Sequence, residues 1–425
     1  MSHIKTVYVQ KSGKIMAERW LREQRNAPEL HLICTADTAA WARERAALYP
    51  AVKRVVEIPD FPPEEAASVR EKEPELASLL TEGAVFPIAP NTVKLRFLPG
   101  NHIPWIQPYY ADFRRLWLLG ARRVALYTLG GAAELEMPYL LDAFHRIHAG
   151  RRCFVAGNGP SLNEIDMTHL KDELVFGSNR CYLGYEKWGF SFPYWGIMDR
   201  LQVEEYGPEY EDNVPENCVK FFPFEYLPYL RMKNACPMNF SYDSRPPYRF
   251  SGRPDIVHLG FTVTHALLQV AAMMGCNPII LIGVDHRYNL AQADKPETIR
   301  PKAQSLVSRL KDRAKQTAAY DMWQAYKQVR AARRQDAALT APASKSRQEP
   351  PLSRLWVAKD ASKPTHFSED YTGGPKKFVM PQPEKSEAAF DAAAAWAREN
   401  GVEILNATPG TALKSFPLVD YDSLF

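Results

Sequence analysis

The sequence predicts an α/β protein in two parts, the larger one built on a parallel sheet. Three observations carry that expectation. Short β-rich runs alternate with helix-like stretches along most of the chain. A nearly all-apolar stretch, VTHALLQVAAMM, leads directly into the continuous apolar run NPIILIGV, and a strand apolar on both faces is one buried on both faces of a parallel sheet. Finally, 425 residues exceed what one ordinary core organises.

Residues 1–145 read as a smaller N-terminal α/β domain. KTVYVQ, LHLICT and KRVVEIP are strand-like, and TAAWARERAALYP between the last two is helical in character. NTVKLRFLP and RRVALYTL bracket the aromatic helix candidate YYADFRRLWLLGA. No GxGxxG or Walker-type loop occurs here, so a structural, a regulatory and a partner-binding role all stay open.

Residues 146–425 form the second, chemistry-bearing domain. CFVAG is a strand candidate that breaks into the turn GNGPSL; DELVFGSNRCYL ends a second strand at Ser178-Asn179-Arg180; FPYWGIMDR ends a third at Met198-Asp199. The apolar helix follows, with Thr262 placed to cap its start and Gly275 where a helix stops. NPIILIGVDHRY is the next strand. The proline-rich PFEYLPYLRMKN and SYDSRPPYRF are rigid loops, or else crevice walls and acceptor surface. Residues 291–351 are basic, helix-prone and then disordered in composition, an insertion that is either a solvated helical excursion, a lid or a surface for an acidic partner. The loop THFSEDYTGG, the helix EKSEAAFDAAAAWAREN and the strand VEILNAT complete the chain.

A net charge of +4 is too weak for a nucleic-acid binder. The amino terminus shows no apolar signal core, and no run of about 18 apolar residues spans a membrane. The six cysteines are scattered, without CxxC or zinc-like spacing, and read as buried, reduced thiols. A cytoplasmic protein is expected, and homo-oligomerisation stays open.

The strand ends place Asn158, Asn179, Asp199 and Asp285 along one edge of the sheet, and open parallel sheets bind ligands outside the carboxyl ends of their strands. Gly157 and Gly159 permit close backbone approach, and Asn158 and Ser161 offer donors and acceptors. GNGPSL has no P-loop lysine, so the alternative is a plain strand-to-helix corner. In THFSEDYTGG, His366 suits proton transfer with Glu369 or Asp370 to orient it, or it is a satisfied structural histidine. No second histidine stands at ligand spacing, and no metal site is expected unless Asp285 and His286 come from across the fold. His265 inside the apolar helix reads as a packed core residue.

VAGNGPSLNEID resembles the opening strand and loop of bacterial family 42 sialyltransferases, and THALLQVAAMMGCNPIILIGVDHRY resembles their buried helix and following strand. With FGSNRCYL, HFSEDY and NATPGTALKSFP added, the pattern resembles a bacterial and archaeal family described as 6-hydroxymethylpterin diphosphokinase MptE-like. That family is grouped with the motility accessory factor glycosyltransferases. The resemblance covers about residues 150–290 and 360–420. It implies a Rossmann-like, GT-A-like sheet domain with Asn158 and Asn179 on a cytidine nucleotide. It also implies Thr262 or Thr264 near the donor phosphate, Tyr288 on the leaving phosphate and His366 as general base. Arg287 adds a cation for the phosphate. GFTVTH stands in place of the family's Thr-Ser-Gly turn, and Tyr288 lies one position later than the family's tyrosine.

The expected function is therefore a glycosyltransferase that moves a sugar, in the acidic nonulosonic class, from a CMP-linked donor to an acceptor hydroxyl on a glycan, lipid-linked or protein acceptor. It would need no cofactor. Two alternatives stand beside it. One is an ATP-dependent 6-hydroxymethylpterin diphosphokinase, with Mg²⁺ held by Asp199, Asp285 and Asp370; the other is a non-catalytic nucleotide-binding protein.

Overall fold

The computed structural model describes residues 4–88, 96–98, 101–103, 109–128, 131–227, 230, 232–287, 290–292, 355–358, 365–372, 377–379 and 381–425. The chain divides into two compact units, with the boundary between Pro138 and Tyr139. Nearly all of the 291–351 insertion, and Tyr288, lie outside the described residues.

In the first unit, strands β1 (Thr6–Val9), β2 (Leu30–Cys34), β3 (Val52–Glu57) and β4 (Ala84–Pro87) alternate with helices α1 (Lys14–Glu23), α2 (Ala36–Leu48), α3 (Ala66–Lys72) and α4 (Pro74–Thr81). A short hairpin, β5 (Arg96–Leu98) with β6 (Asn101–Ile103), precedes α5 (Tyr110–Leu118), β7 (Arg123–Thr128) and β8 (Gly131–Glu136). The sheet order is β3-β2-β1-β4-β7-β8, parallel except for the β7–β8 pair. Strand order thus reverses between β1 and β4. Met16, Trp20 and Leu21 of α1 pack with Val7, Val9, Leu32 and Val85 of the strands. Phe86 of β4 stacks with Tyr8 and Phe113, centroids 5.5 and 4.5 Å away.

The second unit holds seven parallel strands: β9 (Cys153–Ala156), β10 (Val175–Ser178), β11 (Tyr194–Gly196), β12 (Val219–Pro223), β13 (Ala235–Met238), β16 (Ile279–Ile282) and β20 (Ile404–Asn406). Their order is β13-β12-β11-β10-β9-β16-β20. Small pieces complete the unit: the pair β14 (Phe240–Ser241) and β15 (Val257–His258), and the antiparallel strands β17 (Leu290–Gln292), β18 (Leu355–Ala358) and β19 (Lys377–Val379). Its helices are α6 (Tyr185–Trp188), α7 (Arg200–Asn213), α8 (Val263–Met273) and α9 (Pro383–Asn400).

The expected apolar helix is α8, capped by Thr262 through its side chain to the Thr264 amide. Gly275, at φ 83°, ends it. Leu267, Leu268, Val270 and Met273 are buried against Val155, Phe176 and Leu281 of the strands and Phe390 of α9. Each such side chain contributes about 1.5–3 kcal/mol by leaving water. His265 is fully buried, as read from the sequence. Its Nε2 lies 3.1 Å from the Ala389 carbonyl and its Nδ1 3.2 Å from Gln269 Nε2. All six cysteines are free and buried.

Two strands were not expected from the sequence: β12 ends at Pro223 and β13 contains Pro237, on either side of the PFEYLPYLRMKN segment. β13 is the sheet edge, where a proline costs no central ladder bond.

Candidate functional site

Strand order in the second unit reverses between β9 and β16, so the carboxyl ends of these two strands flank the crevice that such sheets offer to ligands. The GNGPSL loop leaves β9 at that point. Its amides follow the β16 exit: Gly157 N donates to Ile282 O (2.8 Å) and Gly159 N to Gly283 O (2.9 Å). A Cβ on Gly157 would sit 2.3 Å from Gly283 O, and one on Gly159 1.7 Å from Asp285 Oδ2. Both glycines therefore serve the packing of loop on turn. Ser161 completes the contact, with its Oγ donating to Asp285 Oδ2 (2.7 Å) and its amide to Oδ1 (3.3 Å). Burial raises the Asp285 pKa, the Ser161 bonds oppose the rise, and the sum stays above the ordinary carboxylate value.

The GVD turn is braced from its other side. Thr408 Oγ1 accepts from Val284 N (3.1 Å), Thr411 Oγ1 donates to Val284 O (2.7 Å), and Ala412 N donates to Asp285 O (2.8 Å). The NATPGTA segment thus positions the floor of the crevice.

Asn158 and Asn179 stand at the ends of the adjacent strands β9 and β10. Asn158 Nδ2 donates to Ser178 O (3.2 Å) and Ser178 Oγ (3.0 Å). Asn179 adopts φ 49°, a left-handed conformation that asparagine tolerates better than most residues. Its amide donates to Gly196 O (3.1 Å), and its side chain bonds the Tyr371 hydroxyl. Both carboxamide oxygens, Asn158 Oδ1 and Asn179 Oδ1, are buried without a partner among the described residues. An unsatisfied buried acceptor costs about 1–3 kcal/mol, so a ligand carrying N–H or O–H donors would recover that free energy.

The segment 365–372 returns to this same edge. Phe367 N donates to Asn158 O (3.1 Å), and Asn163 Nδ2 donates to Phe367 O (2.8 Å). The His366 ring stacks on Tyr371, centroids 3.9 Å apart and planes within 10°, and its Nδ1 lies 3.1 Å from Thr365 Oγ1. Glu369 and Asp370 are exposed.

Arg180 fastens the segment. Its Nη1 donates to Tyr371 O (2.6 Å) and to Asp370 O, while Nε and Nη2 reach Glu209 Oε1 at 2.9 and 2.5 Å. Tyr182 OH donates to the same carboxylate oxygen (2.6 Å), and Tyr206 lies under the guanidinium at 4.5 Å. Burial alone lowers the Arg180 pKa, but the bonds to Tyr182 and Glu209 hold it above its ordinary value. Neither Arg180 nor Glu209 was singled out from the sequence. Arg180 had a signal in the SNR strand end, whereas Glu209 follows Pro208 inside α7, where a proline argues against the helix that carries it.

The other expected residues are more scattered. Thr262 is spent on the α8 cap and Thr264 is buried in its first turn. Asp199, at the end of β11, and Arg287 are exposed. His286 lies 3.7 Å from Glu387, and burial lowers its pKa. Among the described residues no three His, Cys, Asp or Glu side chains gather into a metal-holding group.

The comparisons with known proteins bear on this unit. Residues 132–290 match the model of the family described as 6-hydroxymethylpterin diphosphokinase MptE-like. This segment is similar to that family. The match bears out the resemblance to the MptE-like family over these residues, and the matched segment contains the whole switch point between β9 and β16. A solved structure of a MAf glycosyltransferase from Magnetospirillum magneticum AMB-1 aligns over 99% of this chain and 58% of its own, at 12% identity and a TM-score of 0.35. The chain spans well under two thirds of that glycosyltransferase's length. No curated protein matches the chain. No helix among the described residues is long and apolar enough to cross a membrane.

Proposed function

We propose that the second unit binds a nucleotide at the β9–β16 switch point and transfers the group it carries, acting as a glycosyltransferase on a CMP-linked sugar. The observation that carries the reading is the pair of bare carboxamide oxygens on Asn158 and Asn179. A nucleoside brings matching donors, its ribose hydroxyls and, in cytidine, an exocyclic amine. His366 is the general base: with Nδ1–H donated to Thr365 Oγ1, the Nε2 lone pair receives the acceptor's proton. The acceptor oxygen then bonds to the anomeric carbon as the bond to phosphate breaks and its electron pair leaves on the nucleotide. Tyr288 and Arg287 are the residues proposed to stabilise that leaving charge, with Thr262 at the α8 start.

The second reading, a diphosphoryl transfer from ATP, is favoured by the description of the family that residues 132–290 match. Titration calorimetry of the full chain with CMP, CDP and ATP, each with Mg²⁺ and with EDTA, separates the two. CMP binding that survives EDTA and weakens roughly tenfold in Asn158→Ala, the value of about one hydrogen bond, is the expected result. Binding confined to Mg-ATP would replace the first reading with the second. His366→Ala should then abolish sugar transfer from a CMP-linked donor, followed by mass spectrometry, while CMP affinity stays within about twofold, because a base contacts the acceptor rather than the nucleotide.

A further inference from the structure

The first unit has a switch point of its own, and a cavity of about 310 Å³ opens there. The floor is Tyr8 at the end of β1, fully buried, whose hydroxyl donates to Asp112 Oδ1 of α5 (2.7 Å). One wall is the start of α2, where Thr35 donates to the exposed carboxylate of Asp37. The loop leaving β1 also lines the cavity, with Lys11 exposed and Ser12 bonded to Gln10 Oε1 (3.1 Å). Gln10 Nε2 donates to Pro87 O (2.8 Å), which ties the ends of β1 and β4 together beneath the opening.

The wall carries groups of both kinds. Carboxylates from two different elements, Asp37 of α2 and Asp112 of α5, line the space, and a carboxylate is an acceptor for hydroxyl hydrogens. A cation and a hydroxyl, Lys11 and Ser12, face it from the loop that starts α1. In doubly wound sheets the acidic residue that follows the second strand takes sugar hydroxyls, while the loop after the first strand takes phosphate. Asp37 lies three residues past β2 and Lys11 two past β1. The volume falls at the small end of ligand pockets, which suits one sugar ring with its phosphate and leaves no room for a base stacked beside it.

We infer that the first unit carries a second ligand site, for a phosphorylated polyol, with the hydroxyls on Asp37 and Asp112 and the phosphate on Lys11 and Ser12. The source is either a free sugar phosphate or the ribose phosphate of a nucleotide whose base projects out of the cavity. The inference stands apart from the nucleotide reading of the second unit, since no residue is shared.

The test is titration calorimetry of the full chain with ribose 5-phosphate, glucose 6-phosphate, AMP, ribose and inorganic phosphate. Saturable binding of a sugar phosphate, at least tenfold tighter than ribose or phosphate alone, is expected. Asp37→Asn and Lys11→Ala, both exposed positions that do not disturb the core, should each weaken it at least fivefold. AMP binding as tightly as ribose 5-phosphate assigns the source to a nucleotide; AMP failing to bind assigns it to a free sugar phosphate. No saturable binding of any sugar phosphate overturns the inference, and so does binding that neither variant changes.

Discussion

In the second unit the loop after β9 is drawn so tightly onto the turn after β16 that Gly157 has no space for a methyl group. In the first unit the loop after β1 leans on β4 through Gln10 and Gly13, and a cavity remains beside it. Both loops sit where strand order reverses. The difference shows what glycine is for in each. In GNGPSL it lets two backbones meet, so that the glycines serve packing. In QKSG it seats a helix start against a strand, with polar side chains left to line open space.

The sharpest way to break that contrast is Gly157→Ala. The new Cβ meets the Gly283 backbone carbonyl at 2.3 Å. A loss of roughly 4 kcal/mol from the second unit is expected, read as a lower urea midpoint; an unchanged midpoint would mean loop and turn can separate.

Acid should also strain the second unit more than the first. Burial lowers the His265 pKa from 6.5 to about 4, with the Ala389 carbonyl opposing the shift. The unfolded chain therefore takes up its proton first as pH falls. This contribution, about 3 kcal/mol, is complete above pH 6.5, is lost between 6.5 and about 4, and is flat below. In the first unit burial also lowers His31, but Glu29 opposes it, so the loss there is smaller. Urea midpoints of each unit across that pH range, followed by hydrogen exchange, check the difference; equal slopes would remove it.

Gly13→Ala is the matched control. Its Cβ would lie 2.7 Å from Pro87 O and 3.0 Å from the flexible Gln10 side chain, so about 1–2 kcal/mol is expected, again by urea denaturation. A cost equal to that of Gly157→Ala would make the two switch points alike after all. The smallest effect belongs to the surface of the first sheet. Arg43 and Glu57 pair at 2.9 Å but are exposed, and Glu57→Gln should change stability by less than about 0.5 kcal/mol.

Much of this was legible in the sequence wherever a local pattern decided it. The apolar run of α8 and β16, the cap at Thr262 and the stop at Gly275 all follow from period, capping and backbone freedom within a few residues. The strand ends carrying Asn158, Asn179, Asp199 and Asp285 were legible for the same reason. What stayed hidden depends on residues far apart in the chain. Nothing local announces that Arg180 will hold the carbonyls of residues 370 and 371, or that Asp285 will be taken up by Ser161. The β12 and β13 strands were obscured by prolines that only an end or an edge position excuses. The cavity of the first unit has no motif, because its walls come from β1, α2 and α5.

The brace that Thr408, Thr411 and Ala412 place on the GVD turn has a consequence for how the protein is made. β9 is synthesised more than 250 residues before this brace, and β20, the strand that flanks β16, comes only with it. Contacts this distant in sequence form late and slowly. A ribosome-bound chain lacking the residues beyond Ile404 would display strands β9 to β13 with the crevice unfinished on one side. The crevice edge of the second unit is therefore complete only once synthesis has passed this brace.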